Sequence, residues 1–139
     1  MGFRVLGVIG IGAVVGVMVF GSVAPSEARQ GNPAAAKMTS PVASTPESIA
    51  AGGTIFQKRC SGCHGSDAKG GPPKEEFLKP APNLIDDQYD HGSSDGEMFY
   101  VIKNGVPPEL VMDGWGERIS DTDMWNIVNF LRAEAKKSK

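Results

Sequence analysis

With 139 residues and a formal net charge of −2, the chain is long enough for one domain with extensions. It is too weakly charged to favour nucleic acid or an anionic membrane surface as a partner. Its two cysteines exclude a structural zinc site built from four cysteines. The 18 glycines and 10 prolines indicate a small protein with extensive loops.

The first 28 residues have the pattern of an export segment. Arg4 precedes an uninterrupted apolar run over residues 5–20, and the small residues Ser26 and Ala28 stand at the −3 and −1 positions of a cleavage site. The run approaches the ~20 residues that a membrane-spanning helix needs. We therefore predict a periplasmic protein with residues 1–28 as a signal peptide. The alternative is an N-terminal anchor that tethers the domain to the membrane through residues 5–24.

Residues 29–44 are rich in Ala, Pro, Ser and Thr and lack hydrophobic periodicity, so they are predicted to form a flexible linker. The folded domain is expected over residues 45–139. Thr45 suits the N-cap of a first helix that begins with Pro46 and continues to about Cys60. Glycine inside a helix costs about 1 kcal/mol relative to alanine, so Gly52 and its neighbour Gly53 predict close packing against another helix.

Residues 60–64 read Cys-Ser-Gly-Cys-His, the attachment signature of a c-type haem. Cys60 and Cys63 can add to the two vinyl groups along one edge of the porphyrin, and His64 can supply an imidazole to the iron. A thioredoxin-like redox pair would need a βαβ context, which the sequence does not show. A zinc site would need two further ligands, and His91 is the only other histidine. We predict one covalent haem c.

Beyond the motif, prolines and glycines predict a long loop to about residue 93. Ser94 and Glu97 form a capping box that opens a helix ending at Gly105. Ser120 is the predicted N-cap of a last helix. No stretch shows convincing strand alternation, so the sequence predicts a small all-α domain.

The order of these elements resembles the class I monohaem cytochromes c over residues 46–135. The resemblance implies a cytochrome c-like domain of three to four helices wrapped around one covalently attached haem. It also implies that Gly52 and Phe56 of the first helix cross the last helix near Ile127 and Phe130.

The same resemblance implies roles for the remaining site residues. The carbonyl of Pro82 would accept a hydrogen bond from the proximal His64, and Leu84 would pack on the haem ring. Met112 lies in the loop before the last helix, where the family places its axial thioether, although the family's usual proline after that methionine is replaced by Asp113. The iron ligands would then be His64 and Met112, with His91 as the rival sixth ligand.

Trp115 has two open interpretations: it caps the haem crevice as apolar bulk, or its indole N–H donates to a haem propionate. With both axial positions filled, the site would transfer single electrons to transiently docked redox proteins, and the protein would not be an enzyme. Two alternatives are a cytochrome c subunit of a larger oxidoreductase and a haem sensor or enzyme with a labile sixth ligand.

Overall fold

A computed structural model describes residues 1–2, 31–72, 80–86, 88–106 and 112–139 of the chain. Apart from its first two residues, the predicted export segment lies outside these ranges, so its interpretation stays a prediction. Across the described residues, no helix combines the length and the apolar character needed to cross a membrane. The same residues contain four α-helices, which agrees with the predicted all-α class.

Helix α1 (Pro46–Arg59) begins as its sequence predicts. The Thr45 hydroxyl accepts a hydrogen bond from the amide of Ser48 at 3.2 Å, and Pro46 occupies the first turn. A very short helix α2 (Ser61–His64) follows directly. Helix α1 therefore carries the cysteine motif at its C-terminal end.

The last helix, α4 (Asp121–Lys137), crosses α1 at close range. A Cβ at Gly52 would lie 1.9 Å from the Asn126 carbonyl oxygen, and one at Gly53 would lie 3.1 Å from the Phe130 ring. The Phe56 and Phe130 rings pack with their centroids 5.3 Å apart. This confirms the predicted close packing at the two glycines. At Gly52 only a residue without a side chain admits the approach, because the contact is with main-chain atoms.

Helix α3 (Asp95–Asn104) has the predicted capping box between Ser94 and Glu97. Its Phe99 ring stacks on Trp125 of α4 with centroids 4.3 Å apart. The helix ends at Gly105, whose φ of +76° suits glycine. Helices α1, α3 and α4 together enclose the described core, in which Phe56, Met124 and Val128 are fully buried.

A two-stranded antiparallel ladder lies between α3 and α4, where the sequence showed no strand pattern. Strand β1 (Gly105–Val106) pairs with β2 (Met112–Asp113), and Val106 faces Met112 in the register. Strands of two residues are too short to show the alternation that predicts a strand. The ladder attaches the Met112 segment to the end of α3.

The segment expected to be a flexible linker makes specific contacts from residue 32 onward. It forms a short 3-10 helix (Ala35–Lys37), and Ala35 is buried against α3 near Gly96. Further along, the Asn129 amide of α4 donates to the carbonyl of Ala43 at 3.3 Å. The boundary of the domain at residue 45 stays a prediction.

Candidate haem site

The junction of α1 and α2 brings the two cysteines and His64 together. Cys60 ends α1 and is also the N-cap of α2, because its carbonyl accepts hydrogen bonds from the amides of Cys63 and His64 at 3.1 and 3.0 Å. The tight turn places Cys63 and His64 at the end of α2 and Cys60 at its N-cap. Such a turn is what attachment to one porphyrin edge requires.

Both thiols are half-buried and neither forms a disulfide. Burial, with a smaller effect from the neighbouring Cys63, raises the pKa of the Cys60 thiol to about 11. The Cys60 thiol is therefore protonated at neutral pH and unreactive by itself. This distinguishes Cys60 from the attacking cysteine of a redox-active thiol pair, whose pKa is lowered.

The His64 imidazole is held in its neutral form. Burial lowers the pKa of His64, and the carbonyl of Pro82 offsets part of this by acting on the imidazole. The buried Nδ1 atom nevertheless has no partner at hydrogen-bond geometry. The Pro82 carbonyl therefore acts on the imidazole as a near neighbour and is not aligned for a hydrogen bond. A neutral imidazole is the form that binds iron.

The loop after the motif folds back onto His64 through main-chain hydrogen bonds. The amide of Gly70 donates to the His64 carbonyl at 3.0 Å, and the amide of Leu84 donates to the Ala68 carbonyl at 2.8 Å. Gly70 has a φ of +95°, and a Cβ there would lie 2.5 Å from the Ala81 carbonyl oxygen. These contacts bring Pro82 and Leu84 back beside the cysteine motif.

An apolar cleft opens between this loop, α3 and the β ladder. Nine residues line the cleft: Pro82, Leu84, Tyr89, His91, Gly92, Met98, Val101, Ile102 and Met112.

Of the predicted site residues, the cleft brings together Pro82, Leu84 and Met112. His64 is not among the lining residues and adjoins the cleft through Pro82. His91, the rival ligand, also lines the cleft from an exposed position. The structure therefore places both candidate sixth ligands on the same apolar surface.

Trp115 lies outside the lining of the cleft. It is half-buried against the core, and its main-chain amide donates to the Ile102 carbonyl at 2.9 Å. The Arg118 guanidinium stacks over its ring at 4.7 Å. Both interpretations of Trp115, as apolar cap or as a propionate donor, stay predictions.

Sequence reasoning missed part of the cleft. Met98 and Ile102 follow the helical spacing of α3, which indicates core residues and does not reveal that they line a cleft. Tyr89 and Gly92 gave no signal, because they belong to a loop without periodicity. The tyrosine is fixed by a hydrogen bond from its hydroxyl to the Leu84 carbonyl at 3.0 Å.

The residues present fit a covalently attached haem. Two free thiols stand next to a neutral histidine with an unpartnered buried Nδ1, and an apolar cleft adjoins them. The helical fold and this site define a c-type cytochrome with one haem.

The family follows from a match over most of the domain. Residues 47–131, more than half of the chain, match the family described as "Cytochrome C oxidase, cbb3-type, subunit III". The chain belongs to this family.

Individual relatives agree with that assignment. The Cbb3-type cytochrome c oxidase subunit FixP of Bradyrhizobium sp. (strain ORS 278) is 38% identical over 73 residues, which are 52% of this chain and 23% of that protein. The FixP subunit of Sinorhizobium medicae (strain WSM419) is 28% identical over 114 residues, 82% of this chain and 37% of that protein. The chain thus spans less than two fifths of the length of these relatives.

A solved structure is also similar. Cytochrome CL from the marine methylotrophic bacterium Methylophaga aminisulfidivorans matches 63% of this chain and 53% of its own, with a TM-score of 0.54 and 28% identity. The similarity confirms the predicted cytochrome c-like fold and a c-type haem as cofactor.

Proposed function

We propose that the chain is a single-electron carrier whose haem iron is held by His64 and Met112. The observation that supports this most directly is the cleft: Met112 borders the same apolar space as Pro82, the residue whose carbonyl acts on His64. The haem, when bound, supplies the Fe(III)/Fe(II) couple that takes up and releases one electron.

The protein residues then have three tasks. Cys60 and Cys63 would fix the haem covalently. The Pro82 carbonyl, which lies near the His64 imidazole, would orient it by accepting from its ring N–H once the haem is bound. Leu84 and Ile102 exclude water from the cleft. The low-dielectric environment keeps the reorganisation energy of electron transfer small. Thioether ligation by Met112 raises the reduction potential relative to an iron held by two histidines.

With both axial positions taken by side chains, small substrates cannot reach the iron, so we infer that this chain is a carrier and not itself an enzyme. Its redox partners would dock transiently over less than about 1,200 Å² in total. We further propose export to the periplasm, with residues 1–28 either cleaved or retained as a membrane tether.

A second candidate role is that of an electron-transferring subunit within a larger oxidoreductase. It is favoured by the family, since the FixP relatives are named as subunits of a Cbb3-type cytochrome c oxidase. Purification of the native protein decides between the two: stoichiometric oxidase chains that co-purify support the subunit, and a lone cytochrome supports the mobile carrier.

The ligand assignment is tested by the ferric absorption spectrum of three single variants. Met112→Ala should abolish the iron–thioether charge-transfer band. Met98→Leu is the matched control, because Met98 also lines the cleft and leucine keeps its volume. Loss of the band in Met98→Leu but not in Met112→Ala would transfer the assignment to Met98.

His91→Ala should leave the iron–thioether band unchanged.

The sensor or enzyme alternative is tested on the same preparation. Rapid binding of carbon monoxide to the ferrous wild-type protein at neutral pH would indicate a labile sixth ligand and contradict the carrier.

A further inference from the structure

Two candidate iron ligands border one cleft, so the fold must select between them. His91 belongs to the wall segment, defined as residues 88–94, which contributes Tyr89, His91 and Gly92 to the cleft lining. An imidazole is a good ligand for iron, and a tethered one has a high effective concentration. A mobile wall segment would therefore let His91 compete with Met112.

Arg132 of α4 contacts both this segment and the first residue of α3, which follows it. Its Nε donates to the Asp95 carboxylate at 2.7 Å, and its terminal nitrogen donates to the Ser93 carbonyl. Its guanidinium also lies 5.8 Å from the centroid of the Tyr89 ring. The Arg132 side chain is only 29% exposed, so these contacts are less screened than those of a surface ion pair.

Glu97, in the first turn of α3, also contacts the wall segment. Its carboxylate accepts from the Ser94 amide at 3.0 Å, and a Cβ at Gly92 would lie 2.1 Å from its Cδ. Gly92 itself has a φ of +94°. The residue next to His91 is thus pressed against a buried carboxylate in a conformation that favours glycine.

We propose that Arg132 is a positioning residue that selects the sixth ligand: it holds the wall segment so that His91 stays off the iron and Met112 binds. The inference rests on the proposed His64/Met112 ligation. It assigns to a residue of α4, which does not line the cleft, control over the iron coordination.

The test compares ferric spectra and reduction potentials of the haem-loaded protein. Arg132→Gln removes the guanidinium group and its charge. We expect loss of the iron–thioether band and a lower reduction potential, because His91 would replace Met112 as the sixth ligand. The double variant Arg132→Gln/His91→Ala should regain the band. Lys137→Gln is the matched control on the same helix, because it removes an ion pair to Glu134 at 2.7 Å and should change neither readout.

The outcomes separate the two proposals. A band that persists in Arg132→Gln overturns the selection role, and so does a band that is lost but not regained in the double variant, since that pattern indicates general unfolding. If Arg132→Gln does not hold haem, Asp95→Asn loosens the same contact and is compared with Asp95→Asn/His91→Ala by the same criteria. Absence of the band from the wild-type protein would instead refute the Met112 ligation itself.

Discussion

The close crossing of α1 and α4 should make Gly52 one of the least replaceable residues of the domain. A Cβ at this position would lie 1.9 Å from the Asn126 carbonyl oxygen and 2.9 Å from the Ile127 nitrogen. Both are main-chain atoms of a helix, so they cannot rotate aside as a side chain would. Gly52→Ala therefore has to push the two helices apart.

Two opposing effects set the size of the change. Overpacking a core contact costs typically about 1–3 kcal/mol, and a displaced backbone belongs at the upper end. Alanine in place of glycine inside a helix recovers about 1 kcal/mol. The net loss is then about 2 kcal/mol, which for a domain of this size lowers the melting temperature by roughly 8–16 °C.

Thermal unfolding of the haem-loaded protein, followed by far-UV circular dichroism, measures this loss. Gly53→Ala is the matched control, because its added Cβ would meet only the Phe130 ring, at 3.1 Å, and a ring can shift. The control should melt close to the wild type. A Gly52→Ala protein that melts at or above the wild-type temperature would refute the argument from the helix crossing.

Contacts outside the crossing give three further expectations. Hydrogen bonds from Ser94 lower the pKa of the Glu97 carboxyl. The ionised Glu97 side chain therefore stabilises the fold fully above about pH 4.5, and this stabilisation is lost as the pH falls through the folded-state pKa. The difference in melting temperature between wild type and Glu97→Gln should accordingly narrow in acid. Asp113→Asn should raise the reduction potential in voltammetry, and Arg118→Gln should lower it. Each shift should be at most roughly a few tens of millivolts, because Asp113 is 66% exposed and lies 3.8 Å from Arg118. Haem-free protein should show a weakened helical spectrum, because the apolar cleft walls would face water.

Each of these expectations has a contrary outcome. A Glu97→Gln difference that stays constant from neutral to acidic pH would show that the Glu97 charge does not contribute. Glu117→Gln, at an exposed position, serves as the control. An unchanged potential in Asp113→Asn would exclude an effect of its charge on the iron. A native-like helical spectrum of the haem-free protein would show that the polypeptide folds without its cofactor.

The sequence predicted the three long helices because the signals that begin and end a helix are local. Thr45, Ser94 and Ser120 each cap the helix that follows them, with a hydroxyl that accepts from an amide three residues on. The cysteine motif is equally local. These features need no knowledge of the rest of the fold.

Contacts between distant residues could not be predicted in this way. Ala35 packs on α3 because Gly96 has no side chain and lets the backbone of Ala35 come close. The Ala- and Pro-rich sequence around Ala35 does not indicate that it contacts a helix. Arg132 reaches Ser93 of the wall segment across 39 residues of sequence. An arginine on a helix surface usually indicates only a solvated face.

The backbone around Met112 is held in place without a proline at position 113. A proline after the methionine would restrict φ and so stiffen the loop. Here the β ladder pairs Met112 with Val106, and the next residues are fixed by amide-to-carbonyl bonds from Trp115 to Ile102 at 2.9 Å and from Gly116 to Lys103 at 3.0 Å. Hydrogen bonds to the end of α3 thus provide the rigidity that proline would otherwise supply. Since α3 also lines the cleft, the same helix positions the Met112 segment and the apolar wall beside it.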